Sequence, residues 1–246
     1  MLGQLTEFVL PRIIGLMVHK HEKLTKRELL AQETFIAKLN IKKSRTNNPI
    51  VVAMIGLVGS GKSSVAKKLA EHIGATVISG DEIRIELRKQ GEQYEQARVI
   101  AENTMIEVMR RDSNVILDSD FIDEKKRASI REKARKFGFQ LVFVSTYTDL
   151  DVQIGRIITA DYKNAVNDFF GSASSEWQGS DQSKGAVVKL REMWRRIPLH
   201  YRWINKAGGA WVIKNPPCKV LAEIDTTDEK IWGHEVAMVA EKLGLR

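Results

Sequence analysis

A single cysteine, Cys218, is all the thiol chemistry this 246-residue chain has. One thiol excludes an internal disulfide and leaves too few sulfur ligands for a zinc ribbon, so Cys218 beside Pro216 and Pro217 reads as an inert packing thiol. Its five histidines fall at no metal-ligand spacing, which gives them no catalytic role. Aromatic residues are scarce at 7%, yet 43% hydrophobic and 28% charged residues are ordinary for a globular chain and argue against a fibre or a disordered tract. No apolar run reaches the ~20 residues that a bilayer span needs. The most apolar opening stretch, Leu5 to Val18, contains Glu7, Pro11 and Arg12 and has neither a basic start nor a small-residue cleavage site. The expectation is a cytoplasmic protein with no membrane partner.

The net charge of +8 is unevenly spread. Residues 1–48 hold nine Lys and Arg against four acids, and residues 182–206 hold seven against one, whereas 151–181 are acidic. Such basic stretches attract nucleic acid, an anionic surface or a phosphorylated small molecule, but they equally make plain solvated faces. Trp177, Trp194, Trp203 and Tyr201 lie near the second stretch. Met193, Ile197 and Ile204 recur at helical spacing there, so Trp194 and Tyr201 read as packing residues rather than base-stacking ones.

Residues 1–45 read as helical, with a break at Asn47-Asn48-Pro49. From Ile50 the pattern changes. Ile50 to Ile55 is a continuous apolar run, the mark of a strand covered on both faces. A glycine-rich turn follows, then a helix from Lys62 with Val65, Ala66, Leu69, Ala70 and Ile73 on one face, stopped by Gly74. Further strands are expected at 75–79, 114–118, 139–145 and 221–225, separated by helices of which the clearest cover 124–136 and 229–243. Alternating strands and helices specify a three-layer α/β domain with a parallel sheet of about five strands. The expected layout is a helical extension at 1–48 and a domain at 49–246, with a lid region between 156 and 196. The Gly, Ser, Asp and Asn content of 164–185 suggests a mobile loop over the site.

The turn Gly56-Leu57-Val58-Gly59-Ser60-Gly61-Lys62-Ser63, with Ser64 next, satisfies G-x-x-x-x-G-K-[ST] at every fixed position. Its glycines permit the backbone angles that let successive N–H groups surround a phosphate. The helix that starts there turns its positive end toward the anion. Lys62 reaches the β- and γ-phosphates of a nucleoside triphosphate, and the Ser63 hydroxyl suits Mg²⁺. A buried strand before the turn and an amphipathic helix after it are the context that gives the motif meaning.

Asp118 ends the apolar strand Val115-Ile116-Leu117, where a carboxylate suits a magnesium ion; a lone Asp there also serves as a turn or cap residue. Asp120 either assists or caps the following helix. Asp81 follows the second strand in Ser79-Gly80-Asp81-Glu82-Ile83-Arg84, on the sheet edge that faces the phosphate turn. A carboxylate there accepts the proton of a substrate hydroxyl, and Arg84 one turn later holds an anion. The same spacing fits a helix N-cap followed by a surface arginine.

With these segments in place the chain resembles the P-loop kinases of the polynucleotide-kinase and zeta-toxin type, in the AAA-type ATP-binding family. The resemblance covers roughly residues 50–160, with an echo at Ile224-Asp225-Thr226-Thr227. It implies ATP with Mg²⁺ as donor, Asp81 as the acid that binds or deprotonates the acceptor hydroxyl, an arginine at Arg127, and Arg156 as a lid arginine assisting the γ-phosphate. A second lid arginine is missing, since Thr159-Ala160-Asp161 follows; the run Lys189, Arg191, Arg195, Arg196 and Arg202 is the substitute source of charge. Gly74 to Ile78 with Asp81 also resembles dephospho-coenzyme A kinase and other small-metabolite kinases. Lys62, Asp81, Arg84 and Arg156 are therefore the expected catalytic residues, Ser63 and Asp118 the metal ligands, and the acceptor a polynucleotide, nucleotide-sugar or small metabolite. The alternative is a nucleotide-dependent switch or nucleic-acid-binding ATPase, supported by the basic stretches and weakened by the lack of an Asn-Lys-x-Asp segment.

Overall fold

The computed structural model describes residues 24–162, 180–205, 208–216 and 218–244. Five parallel strands form the central sheet in the order β2-β3-β1-β4-β7, with β1 Ile50–Ile55, β2 Ala75–Ser79, β3 Asn114–Asp118, β4 Gln140–Tyr147 and β7 Ala222–Asp225. The helices between them are α2 Lys62–Ile73, α3 Gly80–Lys89, α4 Ala97–Met109, α5 Glu124–Lys136 and α6 Leu150–Thr159, with α8 Glu229–Lys242 closing the chain. The three-layer fold read from the sequence is the one observed.

Period-two alternation explains the layers. Ile50, Val52 and Met54 of β1 point to the side covered by α2 and α8, where they meet Val65, Leu69, Ile73, Val236 and Val239. Val51, Ala53 and Ile55 point the other way, into a larger core with Leu87 of α3, Ile100 and Met105 of α4 and Ile130 of α5. All six β1 residues are at most 1% exposed, so each large side chain contributes roughly 1.5–3 kcal/mol of burial. Parallel pairing also fixes where the strands end. Ser79 lies opposite Asp118 on β2 and β3, so the residues that follow the two strands emerge side by side at one edge.

The N-terminal region departs from the reading of 1–45 as helical. Residues 1–23 lie outside the described part, and among the described residues of that region only α1, Lys26–Lys38, is helical. Thr25 and Glu28 form a reciprocal capping box at its start, and Ala31 and Phe35 pack into the larger core. Thereafter the chain runs non-helical beneath the sheet: Lys42 N–H donates to Thr76 Oγ1 at 3.2 Å and Arg45 N–H to the Ile73 carbonyl at 2.9 Å.

The sheet edge also holds two elements that the sequence reading lacked. Helix α7, Asp181–His200, stops before a two-stranded antiparallel hairpin of β5, Tyr201–Ile204, and β6, Ala210–Ile213. Ile204 is therefore in a strand, not on a helix with Met193 and Ile197. Pro198 brings no N–H to the last turn, and Tyr-Arg-Trp-Ile has the alternation of a strand. Tyr201 is buried as expected, but Trp194 is 66% exposed and packs on nothing in the core. Residues 181–185, expected in a mobile loop, begin α7 with Ser180 as its cap; residues 164–179 of that stretch, Trp177 among them, lie outside the described residues.

Asn114, fully buried at the start of β3, joins three segments. Its Oδ1 accepts from Ile50 N–H at 3.0 Å, and its Nδ2 donates to Thr46 Oγ1 at 2.8 Å and to the Ile73 carbonyl at 2.9 Å. Asn114→Ala leaves the buried Ile50 N–H without its partner, while the Ile73 carbonyl keeps the Arg45 N–H, so urea unfolding should show a loss of about 1–3 kcal/mol. A loss below about 0.5 kcal/mol would mean that water takes the vacated bonds.

Candidate active site

The glycine-rich turn is held from outside. Gly56 and Leu57 carbonyls both accept from Lys62 Nζ at 2.8 Å, the Val58 carbonyl from Gln153 Nε2 at 2.6 Å, the Gly59 carbonyl from Arg156 Nη1 at 3.4 Å, and the Ser60 carbonyl from Thr226 Oγ1 at 3.0 Å. With five consecutive carbonyls occupied this way, the loop is fixed in shape before any ligand arrives. Gly59 and Gly61 sit at φ +78° and +81°, a region open to glycine, and a Cβ on Gly61 would come within 2.7 Å of Thr226 Oγ1. Gly61 is also the N-cap of α2 and supplies no side chain to it. The first-turn N–H groups at Lys62, Ser63 and Ser64 thus keep their free, positive end.

These residues line a crevice of about 470 Å³ together with Asp81, Arg84, Asp118 and Arg156, so every residue singled out from the sequence as catalytic or metal-binding reaches one cavity. The cap question at Asp81 is answered by the geometry. Ser79 caps α3, its Oγ accepting from Glu82 N–H at 3.4 Å, so Asp81 stands in the first turn with its carboxylate toward the crevice. One oxygen accepts from Arg84 Nη1 at 2.7 Å and the other lies 3.6 Å from Lys189 Nζ of α7. Enclosure by protein pushes the Asp81 carboxyl upward, but Lys189 and then Arg84 outweigh it and hold the group below its ordinary range.

Asp118 behaves in the opposite way. Burial raises its carboxyl pKa, and a hydrogen bond from Ser63 and the charge of Lys62 only partly offset this, with Asp81 adding repulsion. Ser63 hydroxyl and Asp118 carboxylate, in contact beside the phosphate loop, are hard oxygen donors of the kind a magnesium ion takes, and a desolvated carboxylate gains most from a cation. Asp120 is not the cap of α5, a role held by Asp123. It accepts from Gly56 N–H at 3.4 Å and Ile122 N–H at 3.2 Å and receives Arg196 of α7 at 2.5 Å.

Of the basic run expected to supply charge, Lys189 and Arg196 face the crevice, while Arg191, Arg195 and Arg202 are exposed. Burial lowers the Lys189 pKa, with Asp81 and Glu192 pulling it back. Arg156 lies on α6 and also bonds Thr226, at 2.8 Å through its Oγ1 and 2.6 Å through its carbonyl. Arg127 is 2% exposed and donates to the Phe121 and Ile122 carbonyls, which fixes the segment after β3. Gln153, Arg98, Glu102 and Lys126 were not singled out from the sequence, and Thr226 was named only within the echo segment at 224–227. Of the other four, only Arg98 and Glu102 carried a signal, as an i, i+4 charge pair on one helix face.

A family model described as an AAA domain matches residues 51–166. Among solved structures, a putative kinase from Chloroflexus aurantiacus J-10-fl superposes with a TM-score of 0.51 at 14% identity, covering 79% of this chain and 98% of that one. A protein described as APE1195 gives 0.50 at 18% identity, covering 82% and 97%. The chain has a P-loop kinase-like fold. A weaker likeness, TM-score 0.45 at 19% identity with 79% and 98% coverage, is to the Mycobacterium tuberculosis APS kinase CysC in complex with AMPPNP and APS. No curated protein matches the sequence. Among the described residues of this P-loop domain, no helix is long and apolar enough to cross a membrane.

The opposite environments of the two carboxylates give a test. A carboxyl whose folded pKa is raised costs stability above that pKa and costs nothing once it is protonated in both states. Asp118→Asn should therefore raise the melting temperature of the ligand-free protein at neutral pH by a few degrees, with the gain shrinking as the pH falls toward about 4. Thermal denaturation across that range is the measurement; a gain that does not vary with pH contradicts a buried charge as its source.

Proposed function

We propose that this protein transfers the γ-phosphoryl group of ATP, taken with Mg²⁺, to the hydroxyl of a second molecule. The observation that carries the reading is Asp81. An ionised carboxylate, held by Arg84 and Lys189, shares one crevice with Lys62 of the phosphate loop and with the Ser63–Asp118 pair. A nucleotide switch or ATPase that passes phosphate to water needs the loop and the metal acid, but not a second carboxylate braced by two cations.

In this reading the N–H groups of the loop at Gly59 and from Gly61 to Ser64 hold the phosphates, Gly56 N–H being engaged by Asp120 and Ser60 N–H by the Leu57 carbonyl. Lys62 leaves its two loop carbonyls to neutralise the β- and γ-oxygens. Ser63 and Asp118 would hold a magnesium ion, which when bound would supply positive charge against the phosphates. Asp81 accepts a hydrogen bond from the acceptor hydroxyl and orients its oxygen in line with the γ-phosphorus. That oxygen bonds to phosphorus as the β–γ bridging bond breaks, ADP departs, and the hydroxyl proton passes to Asp81 and on to solvent. Because Lys189 and Arg84 keep Asp81 acidic, it is a weak base and acts first by orientation, which suits a loose phosphoryl-transfer transition state. Arg84 and Lys189 place positive charge next to it, and Arg156 adds more at the crest of the loop through Gly59. Polynucleotide-kinase and zeta-toxin type enzymes are the subgroup that the Ser79-x-Asp81-x-x-Arg84 segment favours, and a cytoplasmic setting supplies both ATP and magnesium.

Incubation with γ-labelled ATP and Mg²⁺ tests this directly. Label should move to an acceptor, fall by about 10²–10⁴-fold in Asp81→Asn, and fall at least as far in Lys62→Ala while far-UV circular dichroism stays native. Release of free phosphate alone, at the same rate in Asp81→Asn as in the parent, would favour the ATPase switch.

A further inference from the structure

We infer that the outer face of α7 binds single-stranded nucleic acid, with Arg191 and Arg195 on its phosphates and a base stacked on Trp194; the inference stands apart from the phosphotransferase reading above.

Helix α7 has two distinct faces. Lys189, Met193, Arg196 and His200 recur at i, i+4, i+7 and i+11 and meet the crevice, the core and the rim of the sheet. Arg191, Trp194, Arg195, Pro198 and Leu199 recur at i, i+3, i+4, i+7 and i+8, the spacing of a helix face that packs on something. All five are exposed, Trp194 to 66% and Leu199 to 70%. The other tryptophans among the described residues are engaged. Trp203 and Trp211 pack edge to face with ring centroids 5.2 Å apart, and Trp232 is buried in the smaller core. Trp194 keeps most of its indole in water, at a cost that a partner would remove.

Charge and layout name that partner. Among the described residues, no acid pairs with Arg191, with Arg195 or, just past the helix end, with Arg202, whereas Lys189, Arg196 and His200 on the other face each have one. Residues 182–206 carry seven cations against one acid, so the partner is an anion. At roughly 100° per residue the two arginines run down the middle of the stripe, with Trp194 on one flank and Leu199 on the other. A membrane surface calls for the reverse order, an apolar centre with cations at the edges. Sinking Trp194 and Leu199 together into lipid would take both guanidinium groups with them, at a heavy desolvation cost. An acidic peptide answers the arginines but brings no flat face to the indole. A single strand brings both: phosphates for the guanidinium forks and unpaired bases that stack on an indole whatever their sequence.

The full-length protein, without ATP, is titrated into a fluorescein-labelled oligothymidylate of about 15 nucleotides, and anisotropy is read across a salt series. Saturable binding is expected, with log K falling against log salt at a slope of about −1.4, or about −0.7 for each of two phosphates. Arg191→Gln and Arg195→Gln should each take about 0.7 off that slope. Trp194→Ala should weaken binding about tenfold, and so should Trp194→Leu, which keeps an apolar surface but no flat face; Trp194→Phe should stay within about threefold of the parent. Melting temperatures equal to the parent's are expected for these exposed positions and show that each variant is folded. An oligonucleotide that does not bind at low salt, or that binds Trp194→Ala as tightly as the parent, overturns the inference. So does a duplex of the same length that binds as tightly as the single strand. Tighter binding to phosphatidylserine vesicles, or equal displacement by polyglutamate, overturns it in favour of a membrane or an acidic peptide. Binding that ATP with Mg²⁺ abolishes, or that Lys189→Gln weakens as much as Arg195→Gln does, puts the strand in the crevice and overturns it as well.

Discussion

The outward side of the phosphate loop, where each carbonyl from Gly56 to Ser60 meets a side chain, is the constraint on which the rest of the molecule depends. Lys62 comes from α2, Gln153 and Arg156 from α6, and Thr226 from the segment after β7. All can reach the loop only because β1 is the central strand, with β4 and then β7 on one side. The same sheet order puts β3 and β2 on the other side, and they bring Asp118 and Asp81. One flank of β1 therefore shapes the loop and the other carries the acids. A sheet with β1 at its edge would give up one of the two.

Strand register then sets two carboxylates close together in different surroundings. Asp118, paired in register with Ser79, is at the end of a wholly buried strand and has Ser63 as its hydrogen-bond partner. Asp81, two residues beyond Ser79, is out at the crevice mouth between two cations. Burial dominates for the first and ion pairing for the second, so the shifts have opposite signs. The charge of Asp81 adds to the upward push on Asp118, while Lys189 and Arg84 hold Asp81 down. Lys189, itself penalised by burial, is stabilised in return by Asp81.

How much of this the sequence disclosed follows from the range of the interactions. The phosphate loop, the strand before it and the face of α2 are local patterns, and Val65, Ala66, Leu69, Ala70 and Ile73 are all fully buried as their spacing implied. Five strands and their helices were legible because each carries its own periodicity. Gln153 was not, and Thr226 was legible only as part of the echo segment, since they reach carbonyls 95 and 166 residues away in the chain, and nothing local distinguishes a glutamine that does so. Hairpin β5–β6 escaped because Tyr201 and Ile204 continue a helical spacing begun at Met193, and the strand alternation from 201 is only four residues long. Beneath the sheet, the segment from Ile41 to Asn48 shows no helix because its polar groups are bonded to the bottoms of β2 and β3, again a long-range condition.

Helix α7 shows how the charge of the site is organised. Its contacts with the rim of the sheet include two ion pairs, Lys189 with Asp81 and Arg196 with Asp120, and His200 lies 3.9 Å from Asp123. The acids are rooted in segments fixed by the core, Asp120 by Gly56 and its neighbours and Asp123 as the cap of α5. The cations belong to a helix whose outer face, with Trp194 and Leu199, is open. An exposed ion pair is worth little alone, but these are partly enclosed, and Lys189 has only 15% of its side chain exposed. A polyanion entering the crevice therefore meets cations already stripped of much of their water and already aimed inward. It exchanges one partner for another instead of desolvating a free ammonium, and that lowers the cost of binding charge in a closed space. Acids placed opposite these cations thus keep a basic crevice ordered.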